Sequence, residues 1–186
     1  NDLLEALCGA RLTYNYHRVG GVAFDLPPGW TELCRAWLDH FEKIIDEFDR
    51  LISTNEIFYQ RMAGIAVIPA PMAIDYGLSG PNLRASGVDW DLRRAHPYSA
   101  YEEFDFEVPV GTAGDCYDRF LVRMEEVRQS ARILRQAADR LPGGAWRVDD
   151  GKVCLPPKHE VLTNMEQLIH QFMLVTEGIN APPGEI

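Results

Sequence analysis

Thr112 to Gly144, TAGDCYDRFLVRMEEVRQSARILRQAADRLPGG, is the stretch whose reading decides the fold. Phe120, Met124, Val127, Ala131, Leu134, Ala138 and Leu141 recur at alternating steps of four and three. That rhythm puts them on one narrow helical stripe suited to packing against another helix. Thr112 is placed to cap the first backbone donors, and Asp115, three residues on, completes a capping-box pattern. Pro142, Gly143 and Gly144 end the helix.

Two further segments share this periodicity. From Trp30 onward, after Pro27, Pro28 and Gly29, the apolar positions are Leu33, Cys34, Trp37, Phe41, Ile44, Ile45, Phe48, Leu51 and Ile52. Glu32, Arg35, Asp39, Glu42, Asp46 and Asp49 are left on the outer face. A third helix is expected from His159 to Glu177, with Val161, Met165, Leu168, Phe172 and Val175 on one side and Gly178 as its stop. The opening DLLEALCG reads as the end of a helix stopped by Gly9, so the chain is read as a fragment. Together these segments predict a mainly α protein, an antiparallel helical bundle joined by irregular Pro/Gly-rich loops, without a βαβ rhythm. Ser53 to Gly111 is irregular, with strand-like patches at Gly64 to Ile68 and Phe104 to Val108 as minor β. At 186 residues one domain, 1–186, is expected.

Composition removes whole classes of function. A hydrophobic share of 46% and a charged share of 25% are those of an ordinary globular chain. A net charge of -10 opposes a phosphate-binding surface, so no nucleic-acid partner is expected. The longest apolar run, Ile65 to Ile74, is broken by Pro69 and Pro71 and falls well short of the roughly 20 residues needed to span a bilayer. Cys8, Cys34, Cys116 and Cys154 are scattered without CxxC pairs, which suits a reducing compartment and gives no metal site. No GxGxxG follows a strand, no GxxxxGK[ST] occurs, and Ser79 lacks the G-x-S-x-G elbow. His40 and His170 fall on amphipathic helices, where the plainer reading is a polar face.

Two segments stand out from this background. In Gly9 to Gly21, GARLTYNYHRVGG, Arg11 and Arg18 flank Tyr14, Asn15, Tyr16 and His17 just after a helix end. Two cations there would stabilise an anionic or redox-active neighbour, while the plainer reading pairs them with carboxylates. In Gly80 to Gly87, GPNLRASG, Pro81 can start a helical turn and two glycines bracket Arg84. Its guanidinium either ties the loop to Asp89 or Asp91 or holds a partner's carboxylate.

GARLTYNYHRVGGVAFDLPPGW (residues 9–30), GLSGPNLRASGVDWDLRRAHPYSAYEEFDFEVPVG (77–111), GDCYDRFLVRMEEVRQSARILRQA (114–137), and the later PPK and TEG resemble consecutive blocks of one family. That family is the 49 kDa subunit of respiratory complex I, also called its D subunit. The resemblance covers nearly the whole chain. It implies a fold like the large subunit of nickel-iron hydrogenases and a place as the central part of a longer chain of that D type. The implied role is in the quinone-reducing module of proton-translocating NADH:quinone oxidoreductase, beside a small companion subunit that carries the terminal iron-sulfur cluster.

The same resemblance implies quinone as substrate, a cluster held by the partner and no cofactor bound by this fragment. It implies other complex I subunits as partners and membrane contact through them. The location would be the cytoplasmic side of the bacterial inner membrane, or the matrix side if organellar. Candidates for the quinone and cluster environment are Arg11, Thr13, His17, Arg18, Arg84, Ser86, Asp91 and Arg93. The family often has a histidine where this chain has Thr13, which cannot titrate. No catalytic proton donor is assigned, because the family's quinone-holding histidine and tyrosine precede Asn1. Two alternatives stand beside this reading: the large subunit of an energy-converting membrane-bound hydrogenase, and a helical scaffold without chemistry of its own.

Overall fold

The computed structural model describes residues 1–179 and 183–184. It is mostly helical with a minor sheet. The helices are α1 Asp2–Cys8, α2 Trp30–Ile52, α3 Glu56–Met62, α4 Ala70–Asp75, α5 Gly80–Ala85, α6 Leu92–Ala95, α7 Cys116–Arg140, α8 Lys158–Thr163 and α9 Met165–Thr176. A two-stranded antiparallel sheet joins β1 His17–Arg18 to β2 Gly21–Val22, with His17 opposite Val22. The chain divides into two compact units, Asn1–Trp30 with Pro142–Ile186, and Thr31–Leu141.

In the second unit, α7 is the spine. Its cap is Asp115, not Thr112: the Asp115 carboxylate accepts the Asp118 N–H at 2.8 Å and also the Gly64 N–H at 2.7 Å. Thr112 and Ala113 lie before the helix and donate their own N–H groups to the Asp118 carboxylate, at 2.7 and 2.5 Å. The carboxylate wins the cap because it accepts two backbone donors at once, one of them 51 positions away. From the stripe read in the sequence, Met124, Ala131 and Ala138 are buried, whereas Leu134 and Leu141 are exposed.

Helices α2 and α7 run antiparallel, and charges hold them. Arg35 reaches Asp139 at 3.0 Å, Arg135 reaches Asp39 at 2.7 Å and Glu42 at 2.9 Å, and Arg128 reaches Asp49 at 2.6 Å. Tyr117 closes the far end by donating to the Ser53 carbonyl at 2.8 Å. The acidic residues expected on the outer face of α2 stay exposed there, as Glu32, Asp39, Glu42 and Asp46 show, and the arginines of α7 reach across to Asp39, Glu42 and Asp46 at the edge of the seam. Of the apolar stripe of α2 only Cys34 is buried, together with Leu38, while Leu33, Ile44, Phe48 and Leu51 stay exposed. Phe41 and Ile45 are half-buried and line a hollow with Val127 and Ala131 of α7, and the long arginine stems bridge the two helices beside it.

The two strand-like patches are not strands. Around residues 64–68 the backbone meets the start of α7, with Ile68 N–H on the Gly114 carbonyl and Cys116 N–H on the Ile65 carbonyl. Around 104–108 the N–H groups of Asp105 and Glu107 are taken by the side-chain amides of Gln136 and Gln129 on α7. Both segments satisfy their backbone on a helix, so neither needs a ladder.

In the first unit the expected third helix is broken. Asn164 is extended and accepts the Glu166 N–H at 3.0 Å, which ends α8 and begins α9. The hairpin sits on the segment after Pro142: Val22 donates to the Trp146 carbonyl, and Val148 donates to the Gly20 carbonyl. Gly20 has φ +85, and a Cβ there would lie 2.8 Å from Cys154 Sγ, so only glycine fits this turn.

Candidate functional site

The loop GPNLRASG folds into α5, with Pro81 in its first turn as the sequence predicts. Leu83, Arg84 and Ala85 are buried against α7. The approach is close on one side, because a Cβ on Gly111 would sit 2.7 Å from the Ala85 carbonyl oxygen. The Arg84 carbonyl accepts from both Gly87 and Gly111, at 3.0 and 2.9 Å. Ser86 is buried at the end of α5, and its hydroxyl donates to the Asn82 carbonyl at 3.3 Å.

Arg84 lies at the centre of a buried charge cluster, its side chain only 6% exposed. One Nη is paired with Glu126 on α7. The other donates to the Trp90 carbonyl at 3.1 Å and stands 3.6 Å from Asp91. Its Nε is buried without an acceptor. Of the two aspartates weighed in the sequence, Asp91 is the partner, and Asp89 is exposed.

Asp91 does three things. It caps α6 by accepting the Arg93 N–H at 2.9 Å, it takes a forked pair of bonds from the Arg93 guanidinium at 3.0 and 2.6 Å, and it faces Arg84. Burial alone would raise its pKa. The Arg93 hydrogen bonds and the charges of Arg93 and Arg84 outweigh burial and hold the carboxyl below the usual carboxylate range. Arg93 is pushed up by the same contacts with Asp91, and it also lies over Phe106 at 4.9 Å. The two guanidiniums of Arg84 and Arg93 thus stand against the two carboxylates of Asp91 and Glu126.

Arg84, Asp91 and Arg93 thus come together, beside a hollow of about 350 Å³ lined also by Ser79, Trp90, Tyr98 and Glu126, whereas Ser86 does not line it and its hydroxyl is engaged with the Asn82 carbonyl. The sequence reading missed Glu126. Its signal was a second row on α7, Val122, Glu126 and Gln129, at steps of four and three, with Val122 and Gln129 buried.

Arg11, Thr13, His17 and Arg18 belong to the first unit. Arg11 pairs with Asp2 and Glu5, each at 3.2 Å and exposed, as the plainer reading anticipated. Thr13 has φ +53, and its hydroxyl donates to the Leu12 carbonyl at 2.7 Å. His17 is exposed on β1 with its ring edge-on to Tyr16 at 5.9 Å. Tyr16 donates to the Phe24 carbonyl at 2.9 Å. Burial pushes its phenol up, with the Asp25 carboxylate and the Cys8 thiol adding to the rise. Arg18 lines a hollow beside the hairpin.

Among the described residues no group of three or more His, Cys, Asp or Glu side chains is placed to hold a metal ion. Among the same residues no helix is long and apolar enough to cross a membrane. The site is a helical framework with a neutral buried ion cluster in one unit and an exposed arginine-bearing hairpin in the other.

Comparison with known proteins identifies the family. Residues 1–186 match the family described as respiratory-chain NADH dehydrogenase, 49 Kd subunit, and the chain belongs to that family. It is 55% identical over 187 residues to the NADH-quinone oxidoreductase D subunit numbered 2 of Anaeromyxobacter dehalogenans (strain 2CP-C), covering 97% of this chain and 49% of that protein. It is 52% identical to the D subunit of Methylacidiphilum infernorum (isolate V4), covering 99% and 44%. With the D subunit numbered 1 of Opitutus terrae (strain DSM 11246 / JCM 15787 / PB90-1) it shares 53% identity, covering 100% and 44%. The chain spans about half the length of the relatives it matches.

Proposed function

We propose that this chain is the central part of a D subunit in the quinone-reducing module of a proton-translocating NADH:quinone oxidoreductase. In this reading it forms the interface near the partner-held terminal iron-sulfur cluster and the quinone pocket. The observation that carries it is the match over all 186 residues, with relatives named as NADH-quinone oxidoreductase D subunits at about half identity. The hydrogenase-like fold, the small companion subunit, quinone as substrate and a peripheral place on the membrane through partner subunits belong to the same reading. The segment from Arg11 to the hairpin is its cluster-facing part, since a guanidinium such as that of Arg18 favours a more negative, reduced neighbour.

The test is made in the full-length protein within its assembled complex. Arg11→Ala and Arg18→Ala should slow NADH:quinone reduction while leaving electron delivery from NADH to ferricyanide unchanged, and they should shift the midpoint potential of the cluster nearest quinone. Unchanged quinone turnover and potential in both variants would sink the reading for the hairpin.

For the second unit a scaffold reading has its own support, because every charge of the Arg84 cluster is met inside the chain. Arg84→Ala should therefore lower the amount of assembled complex while leaving quinone turnover per complex normal. Full assembly with slow turnover would reverse that assignment.

A further inference from the structure

We draw no further inference here: the strongest candidate, the hollow of about 350 Å³ beside Arg84, whose Nε is buried without an acceptor, belongs to the buried ion cluster already described, whose guanidiniums are engaged by Asp91 and Glu126.

Discussion

Arg84 on α5 and Glu126 on α7 form an ion pair in the interior of the second unit, joining positions 42 residues apart in sequence. Removing the guanidinium alone would strand Glu126 and leave Asp91 with Arg93 only. Arg84→Ala should therefore destabilise this unit by about 3–5 kcal/mol, as expected when one partner of a buried pair is lost. Replacing both, Arg84→Met with Glu126→Leu, removes the unpaired charge and should cost clearly less than Arg84→Ala alone. Urea unfolding followed through tryptophan fluorescence checks the order, and a double replacement as damaging as the single one would refute it.

The same cluster makes stability depend on acid. The Asp91 carboxyl is held below the usual carboxylate range in the folded chain, as are Asp115 and Asp49. Groups with a depressed folded pKa contribute stability that is fully present above the unfolded value, near about 3.9, and is lost as pH falls through the folded value. The urea midpoint should thus hold steady down to about pH 5 and then fall toward about pH 2. Asp91→Asn, which cannot ionise, should start lower at neutral pH and fall less steeply in acid. An equally steep decline in that variant would remove Asp91 from the account.

The helices and the family were legible because periodicity and long ordered blocks survive without knowledge of neighbours. Pairing was not legible. Asp39, Glu42 and Asp46 carry the pattern of a solvated face and keep it, and only the antiparallel approach of α7, with arginines at matching intervals, gives them and the half-buried Asp49 their partners. Asn164 in the middle of an apolar period looks like a tolerated polar residue until its side chain is seen taking a backbone N–H. Of the candidate residues, Arg84, Asp91 and Arg93 were within ten positions of one another, whereas their partner Glu126 lies on another element, where the row Val122, Glu126 and Gln129 marks it as facing inward without saying which cation it meets.

Asp115 offers a second measure of how one carboxylate organises the spine. It accepts the Asp118 N–H as the cap of α7 and the Gly64 N–H from the preceding loop. Burial would raise its pKa, and these backbone donors with the Arg119 charge more than reverse that. Asp115→Ala should cost more than an ordinary cap, which is worth about 0.5–2 kcal/mol. Hydrogen exchange should quicken at both the first turn of α7 and Gly64. Faster exchange at α7 alone would show that the Gly64 bond contributes nothing.

Two glycines of the first unit separate strain from crowding. Gly9 ends α1 with φ +75, and an added Cβ there would meet nothing within 4 Å. Gly20 has a similar φ of +85, but its added Cβ would meet Cys154 Sγ at 2.8 Å and Val153 Cγ1 at 2.9 Å. Gly9→Ala should therefore show only the conformational cost of a left-handed residue, about 1 kcal/mol. Gly20→Ala should add the displacement of Val153 and Cys154 and weaken the Val148 to Gly20 hydrogen bond that seats the hairpin. The urea midpoint should therefore fall clearly further in Gly20→Ala than in Gly9→Ala. Equal losses in the two variants would mean that backbone strain, and not the packing of the hairpin on Val153 and Cys154, sets the cost at Gly20.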